Sequence, residues 1–220
     1  MRLKKIRLEN FRCYESLTLD LHPRLTVLVG KNGAGKTAIL DALAIGLSPV
    51  LRYLSSANQR LSGVGLKDTD IRIESWGVRG GQQRWGACDF SQITVETTNS
   101  LKWDVWKGSA KGKSPKLKVG ESELARKLAK VSESLKSQQP EILPVFAYYG
   151  AQRGYIEIPQ RLRATNHNYD YPPSALLDSL DARSDFRGML QWFDLEESAE
   201  LRENKGVHPE DYQESICLAQ

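Results

Sequence analysis

Residues 30–37 read GKNGAGKT and satisfy the spacing G-x-x-x-x-G-K-[ST], a pattern that dictates both a backbone shape and the elements on either side of it. Gly30 and Gly35 let the chain curl so that successive N–H groups point inward at a polyphosphate. A helix starting near Lys36 adds the positive end of its dipole to that cradle. The Lys36 ammonium reaches the β- and γ-phosphates, and the Thr37 hydroxyl ligates Mg²⁺. The flanks agree with this reading. Leu25 to Val29 is continuously apolar, as expected of a strand covered on both faces. AILDALAIGLS follows the loop, with Ile39, Leu40, Leu43 and Leu47 on one side of a helix. Strand, phosphate loop and helix in that order require an α/β domain.

A second glycine pattern overlaps the first. Gly33, Gly35 and Ala38 also satisfy G-x-G-x-x-A, the dinucleotide fingerprint. That reading needs an acidic residue about 20 positions on to hold a ribose. Residues 53–60, YLSSANQR, offer none, so the dehydrogenase reading fails.

Elsewhere the periodicities sort the chain into elements. The opening IRLENFRCYESLTLDLHP reads as short strands broken at Asn10 and at His22-Pro23. Ser48-Pro49 is expected to stop or restart the first helix. From Asp70 to Trp106, DIRIESW, RWGACDF, ITVETT and LKWDVW predict an antiparallel meander. Residues 107–118, KGSAKGKSPKLK, hold five lysines and no acid, the composition of a mobile loop. Leu124, Leu128, Val131 and Leu135 predict a helix over 121–138, ended by Pro140. ILPVFAYYG, 142–150, reads as a second buried strand, and Ser184 to Asn204 as a helix carrying Phe186, Met189, Leu190 and Phe193. The expected organisation is a nucleotide-binding lobe over 1–153 and an incomplete helical segment over 154–220.

Composition excludes several classes. With 40% hydrophobic and 26% charged residues the 220-residue chain is globular rather than disordered. Apolar runs fall far short of 18 residues, so no membrane span is expected, and MRLKKIRLEN lacks a secretory apolar core. Cys13, Cys88 and Cys217 lie far apart, as do His22, His167 and His208. This argues against a disulfide framework and a zinc site, and fits a reducing cytoplasm. Lys plus Arg exceed Asp plus Glu by 31 − 27 = 4, a balance that permits a phosphate-bearing partner without demanding one.

The stretch IRLENFRCYESLTLDLHPRLTVLVGKNGAGKTAILDAL resembles the amino-terminal signature of the ABC-type ATPases of the SMC, RecF and related families. These open with an "xLENF(R/K)xY" hairpin followed by an N-G-x-G-K-[ST] loop. LKDTDIRI (66–73), LPVFAYYGAQR (143–153) and FRGMLQWFDLEE (186–197) are similar to the bacterial subgroup that includes the Septu-type antiphage ATPase PtuA. The resemblance implies an α/β P-loop NTPase of ABC/SMC-like type: a mixed sheet around the phosphate-loop helix, an antiparallel β meander and helices toward the carboxy terminus. It implies that Gly30 and Asn32, Gly33, Ala34, Gly35, Lys36, Thr37 and Ala38 hold the phosphates of ATP. Arg12 would contact the nucleotide phosphate or base, and Asp70, Ile71 and Arg72 would line the base pocket. Gln152 would read Mg²⁺, alongside Thr37, and the attacking water, so that Lys36 and Gln152 are the expected catalytic pair.

The family also requires an L-S-G-G-Q-like signature after that glutamine, then four apolar residues and Asp-Glu. LSGVG at 61–65 precedes Gln152, and ALLDS at 175–179 has too short an apolar run. Signature, Walker B, D-loop and switch histidine are therefore expected beyond residue 220. The resemblance implies an ATP-dependent homodimer or higher homo-oligomer, an HNH-type nuclease partner and contact with DNA, in phage defence or in DNA transactions. A RecF-type repair loader and a nucleotide-gated scaffold without turnover are the alternatives. A small metabolite kinase fits poorly, because two strands precede the phosphate loop.

Overall fold

The strand alternation of the opening residues builds the first layer. In β1 (Leu3–Phe11), Ile6 and Leu8 are buried while Lys4 and Arg7 face water. Asn10 adopts a left-handed φ of 50°. It shifts the inward parity by one residue and turns Phe11, rather than Asn10, into the core. A two-residue connection, with Arg12 at φ 48°, leads into β2 (Tyr14–Asp20). The computed structural model describes residues 1–57, 59–79, 82–135, 137, 141–150 and 171–181, together with Phe193 and Glu197. Among these, β1, β2, β5 (Phe90–Thr97) and β6 (Lys102–Gly108) form an antiparallel sheet in the order β2-β1-β5-β6. β3 (Ile73–Arg79) and β4 (Gln82–Ala87) pair only with each other. The meander is present, but shared between two sheets, because β5 turns away from β4 to pair with β1.

The helix α1, Lys36–Leu54, lies against the four-stranded sheet. At Gly46 helix and sheet leave no room for a side chain. A Cβ there would sit 2.6 Å from Val95 Cγ2. The same residue's carbonyl accepts the indole N–H of Trp103 at 2.7 Å. Pro49 does not end the helix as expected; α1 continues one more turn and a half. An interior proline costs about 3 kcal/mol. Val50, Leu51 and Leu54 beyond it are fully buried, and each contributes about 1.5–3 kcal/mol by leaving water. Burial overrides the breaker. α1 is also long and apolar enough by composition to cross a bilayer, but 61% of its apolar window is buried inside the domain, as in any core helix.

The second helix, α2 (Ser122–Ser134), buries Leu124, Leu128 and Val131 of the expected stripe against α1 and β6; it stops short of the predicted 138, with Leu135 at its cap and only half-buried. The lysine-rich stretch 107–118 is held down. Buried Asp104 accepts N–H bonds from Val119 at 3.1 Å and Gly120 at 2.5 Å, and Gln92 Nε2 donates to Leu117 O at 2.9 Å. Gln92, Val119 and Gly120 together satisfy the buried Asp104 carboxylate. A 3₁₀ turn at Pro172–Leu176 adds Leu176 and Leu180 to the core, and the Tyr171 hydroxyl donates to Leu54 O at 2.8 Å.

Both segments read as buried strands differ from that reading. Residues 25–29 form no strand, and Leu25, Val27 and Val29 are 71%, 67% and 90% exposed. Residues 142–150 likewise run without ladder partners; Leu143, Phe146 and Tyr148 pack on the core while Ile142, Val145 and Tyr149 face out. Apolarity favours burial, but a strand exists only where a neighbour accepts its N–H and C=O groups. Among the described residues neither segment enters a ladder, although the Tyr148 N–H does donate to Ser179 O at 2.6 Å. The helix expected over 184–204 falls outside the described residues, apart from helical positions at Phe193 and Glu197.

Candidate functional site

The phosphate loop follows from its glycines. Gly33 and Gly35 take φ of 83° and 86°, the left-handed region that other residues enter only at a cost. Gly35 is the N-cap of α1, which has no side-chain cap. The amide groups of the first turn therefore meet no capping oxygen, the arrangement that binds anions at helix starts. Lys36 Nζ donates to Gly30 O at 2.7 Å and to Lys31 O at 2.8 Å. The ammonium thus folds back over its own loop, where a phosphate oxygen can replace either carbonyl. Thr37 follows on the first turn, and its hydroxyl suits a hard cation that shares its other ligands with phosphate oxygens and water.

The β1–β2 turn closes one side of this loop. The Tyr14 hydroxyl donates to Ala34 O at 3.2 Å. A Cβ on Gly35 would stand 2.5 Å from the Tyr14 oxygen and 2.7 Å from Cys13 Sγ. Gly35→Ala is therefore expected to strain the loop twice, by its left-handed φ and by displacing the hairpin. The left-handed conformation alone costs about 1–2 kcal/mol. A thermal melt should record that loss and a nucleotide titration a weaker complex; an unaltered melt and affinity would mean that the hairpin does not brace the loop.

Arg12 lies in that same turn and is held on two sides. Its Nε donates to Asp70 Oδ1 at 2.8 Å and its Nη1 to Asp41 Oδ2 at 2.5 Å. Partial burial pulls the Arg12 pKa down, but the bonds to Asp41 and Asp70 more than offset this and leave it raised. The other Asp41 oxygen accepts the Tyr148 hydroxyl, while Asp70 Oδ2 accepts the Lys67 N–H at 2.8 Å. Burial first, and then the bond to Asp41, push the Tyr148 pKa far above the ordinary phenol range. These groups border a cleft of about 460 Å³ whose apolar wall includes Ala44, Ile45, Val64 and Leu180.

The structure thus brings together Arg12, Gly30 and Asn32 to Ala38, with Asp70 joined to them through Arg12. Ile71 is buried and bridged to Phe11. Arg72 meets the hairpin twice, its N–H donating to Asn10 O of β1 at 2.9 Å and its guanidinium lying 3.5 Å from Glu15 of β2, with Glu74 also at 3.5 Å. Gln152 lies outside the described residues. Sequence reasoning missed Asp41 and Tyr148. Asp41 carried a signal, since it stands four residues after Thr37 and so on the same helix face. Tyr148, 107 residues from its partner, carried none.

A family model described as AAA domain matches residues 5–207. The chain belongs to the AAA domain family. Its fold is that of an α/β P-loop NTPase, and shorter stretches of the chain are similar to RecF, SMC and retron ATPase proteins. This AAA domain is 56% identical over 43 residues to the DNA replication and repair protein RecF of Lactococcus lactis subsp. cremoris (strain MG1363), a match covering 20% of the chain and 12% of that protein. It is 44% identical over 66 residues to structural maintenance of chromosomes protein 6 of Saccharomyces cerevisiae, covering 30% and 5%. With the retron Ec83 probable ATPase of Escherichia coli it shares 38% over 74 residues, covering 33% and 13%. The match therefore spans only a small part of each relative's own length. A solved chain from work on the ATP-driven dimerization and DNA-stimulated activation of SMC ATPases is similar over 62% of this chain and 84% of its own, at 13% identity and a TM-score of 0.31.

Proposed function

We propose that this AAA domain is the ATP-binding lobe of an SMC/RecF-like ATPase and works as a nucleotide-gated switch, in DNA transactions or in phage defence. The observation that carries the reading is the preformed loop: left-handed Gly33 and Gly35, an uncapped helix start, and Lys36 resting on Gly30 O and Lys31 O. ATP replaces those carbonyls around the ammonium, and Thr37 with the phosphates completes a site for Mg²⁺.

Turnover needs more than this loop holds. Phosphoryl transfer to water requires a group that orients the water, and Lys36 and Thr37 address only the phosphate charge. In residues 1–220 no four apolar residues are followed by Asp-Glu. A second head's signature motif, resting on the γ-phosphate, would supply closure and exclude water. ATP then joins two heads as a homodimer or higher oligomer, and hydrolysis releases them. Gln152 would read the metal and the water.

The expected result is Mg²⁺-dependent ATP binding by the 220-residue chain with turnover close to background. A polypeptide carrying the signature and the carboxylate pair should restore hydrolysis and bring two copies together in sedimentation. Turnover near about 1 s⁻¹ by the chain alone, abolished by Lys36→Ala, would overturn the divided site. The part in phage defence follows the likeness of residues 66–73, 143–153 and 186–197 to the Septu-type subgroup, and a neighbouring nuclease gene would separate it from a repair role.

A further inference from the structure

Arg12 is fixed more firmly than a turn arginine needs to be. Its guanidinium is a rigid plane, so bonds from Nε to Asp70 and from Nη1 to Asp41 set both position and tilt. Each carboxylate is anchored in turn. Asp70 is 3% exposed and also takes the Lys67 N–H. Asp41 rides on α1 and also takes the Tyr148 hydroxyl. The Tyr148 N–H donates to Ser179 O at 2.6 Å, which fixes the backbone from which the ring extends. Four separate stretches of chain thus converge on one cation: the β1–β2 turn, the phosphate-loop helix, the 68–70 turn and the 141–150 segment that runs on to Gln152.

We propose that Asp41 is a positioning residue for the nucleotide: it holds the Arg12 guanidinium against α1 one turn past Thr37, and Tyr148 ties that arrangement to the 141–150 segment. This rests on the ATP-binding reading above. The sign of one measurement separates it from the plain alternative. Asp41 stands one helical turn from Thr37, so its negative charge by itself repels a bound polyphosphate. Were repulsion its whole effect, neutralising it would tighten binding. As the holder of Arg12, its neutralisation loosens binding although a negative charge is removed.

The test is a double-mutant cycle on ATP affinity with the full 220-residue chain, using Asp41→Asn, Tyr148→Phe and Arg12→Ala, with Lys36→Ala as the reference for loss of the loop. Asp41→Asn should weaken Mg-ATP binding about tenfold, and Tyr148→Phe about threefold in the same direction. In the Arg12→Ala background both should have no further effect, or Asp41→Asn should tighten binding slightly. Tyr148→Phe keeps the ring and decides the matter should Asp41→Asn fail to fold. Unchanged or tighter binding in the single variants overturns the proposal, and so does an equal loss with and without Arg12. An unaltered chain that shows no Lys36-dependent ATP binding overturns the ATP reading, and this one with it.

Discussion

Replacing Lys36 with Ala is expected to weaken ATP binding at least tenfold while the fold survives. The ammonium carries the positive charge at the centre of the cradle and rests on the carbonyls of Gly30 and Lys31. A charge-assisted bond to phosphate contributes about 1.5–3 kcal/mol, and each 1.4 kcal/mol is about tenfold in affinity. Its loss from the resting protein costs little, because both bonds lie at an exposed site where water replaces the missing partner. Calorimetric titration of wild type and variant checks the affinity, and a thermal melt checks that the two remain equally folded. Equal ATP affinity in the variant would remove the phosphate-loop assignment and the functional reading built on it.

The largest loss of stability is expected at Trp103. The ring is fully buried between the sheet and α1, and its indole N–H is committed to Gly46 O at 2.7 Å. Truncation of a buried aromatic to Ala costs about 3–5 kcal/mol, against a total of about 5–15 kcal/mol for a domain. Collapse cannot refill the space cheaply, since the rigid contact between Gly46 and Val95 already fixes how near the helix comes. Trp103→Phe separates the two contributions: it retains most of the packing and loses only the hydrogen bond, about 1 kcal/mol. Denaturant midpoints should fall steeply for Ala and slightly for Phe. A shift below about 1 kcal/mol for Trp103→Ala would mean that Trp103 does not hold helix and sheet together.

What could be read from the letters was what depends on neighbours in the chain. The phosphate loop, the β1–β2 hairpin and the α2 stripe are local patterns, and all three are present where expected. What could not be read depends on distant groups. Leu25–Val29 has the composition of a central strand, yet pairing is a property of a neighbour, and none is at hand among the described residues. Pro49 obeys a local rule that three buried side chains outweigh. The hydrogen bonds of Val119 and Gly120 to buried Asp104, just past the lysine stretch, have no local signal in the sequence either. In the site, Arg12 was accessible through the family hairpin. Its two holders were not, because Asp41 reads as an ordinary helix carboxylate and Tyr148 as one of three aromatics in an apolar run.

The uncovered residues 25–29 bear on how the purified chain behaves as a colloid. LTVLV is uncharged, free of proline and rich in β-branched residues, the make-up of a segment that pairs with its own kind. Its N–H and C=O groups form no ladder, so another copy can serve as the missing edge. The sequence sets a cation on each side, Arg24 before the segment and Lys31 after it, in the manner of gatekeepers that flank an unavoidable sticky stretch. Such protection is electrostatic and short-ranged, with a Debye length of about 10 Å at 0.1 M salt and about 3 Å at 1 M. Dilute, low-salt buffer keeps the two charges effective. Concentrated salt screens them, and a kosmotropic salt also strengthens the apolar attraction they oppose, so self-association through residues 25–29 is expected to rise with ionic strength.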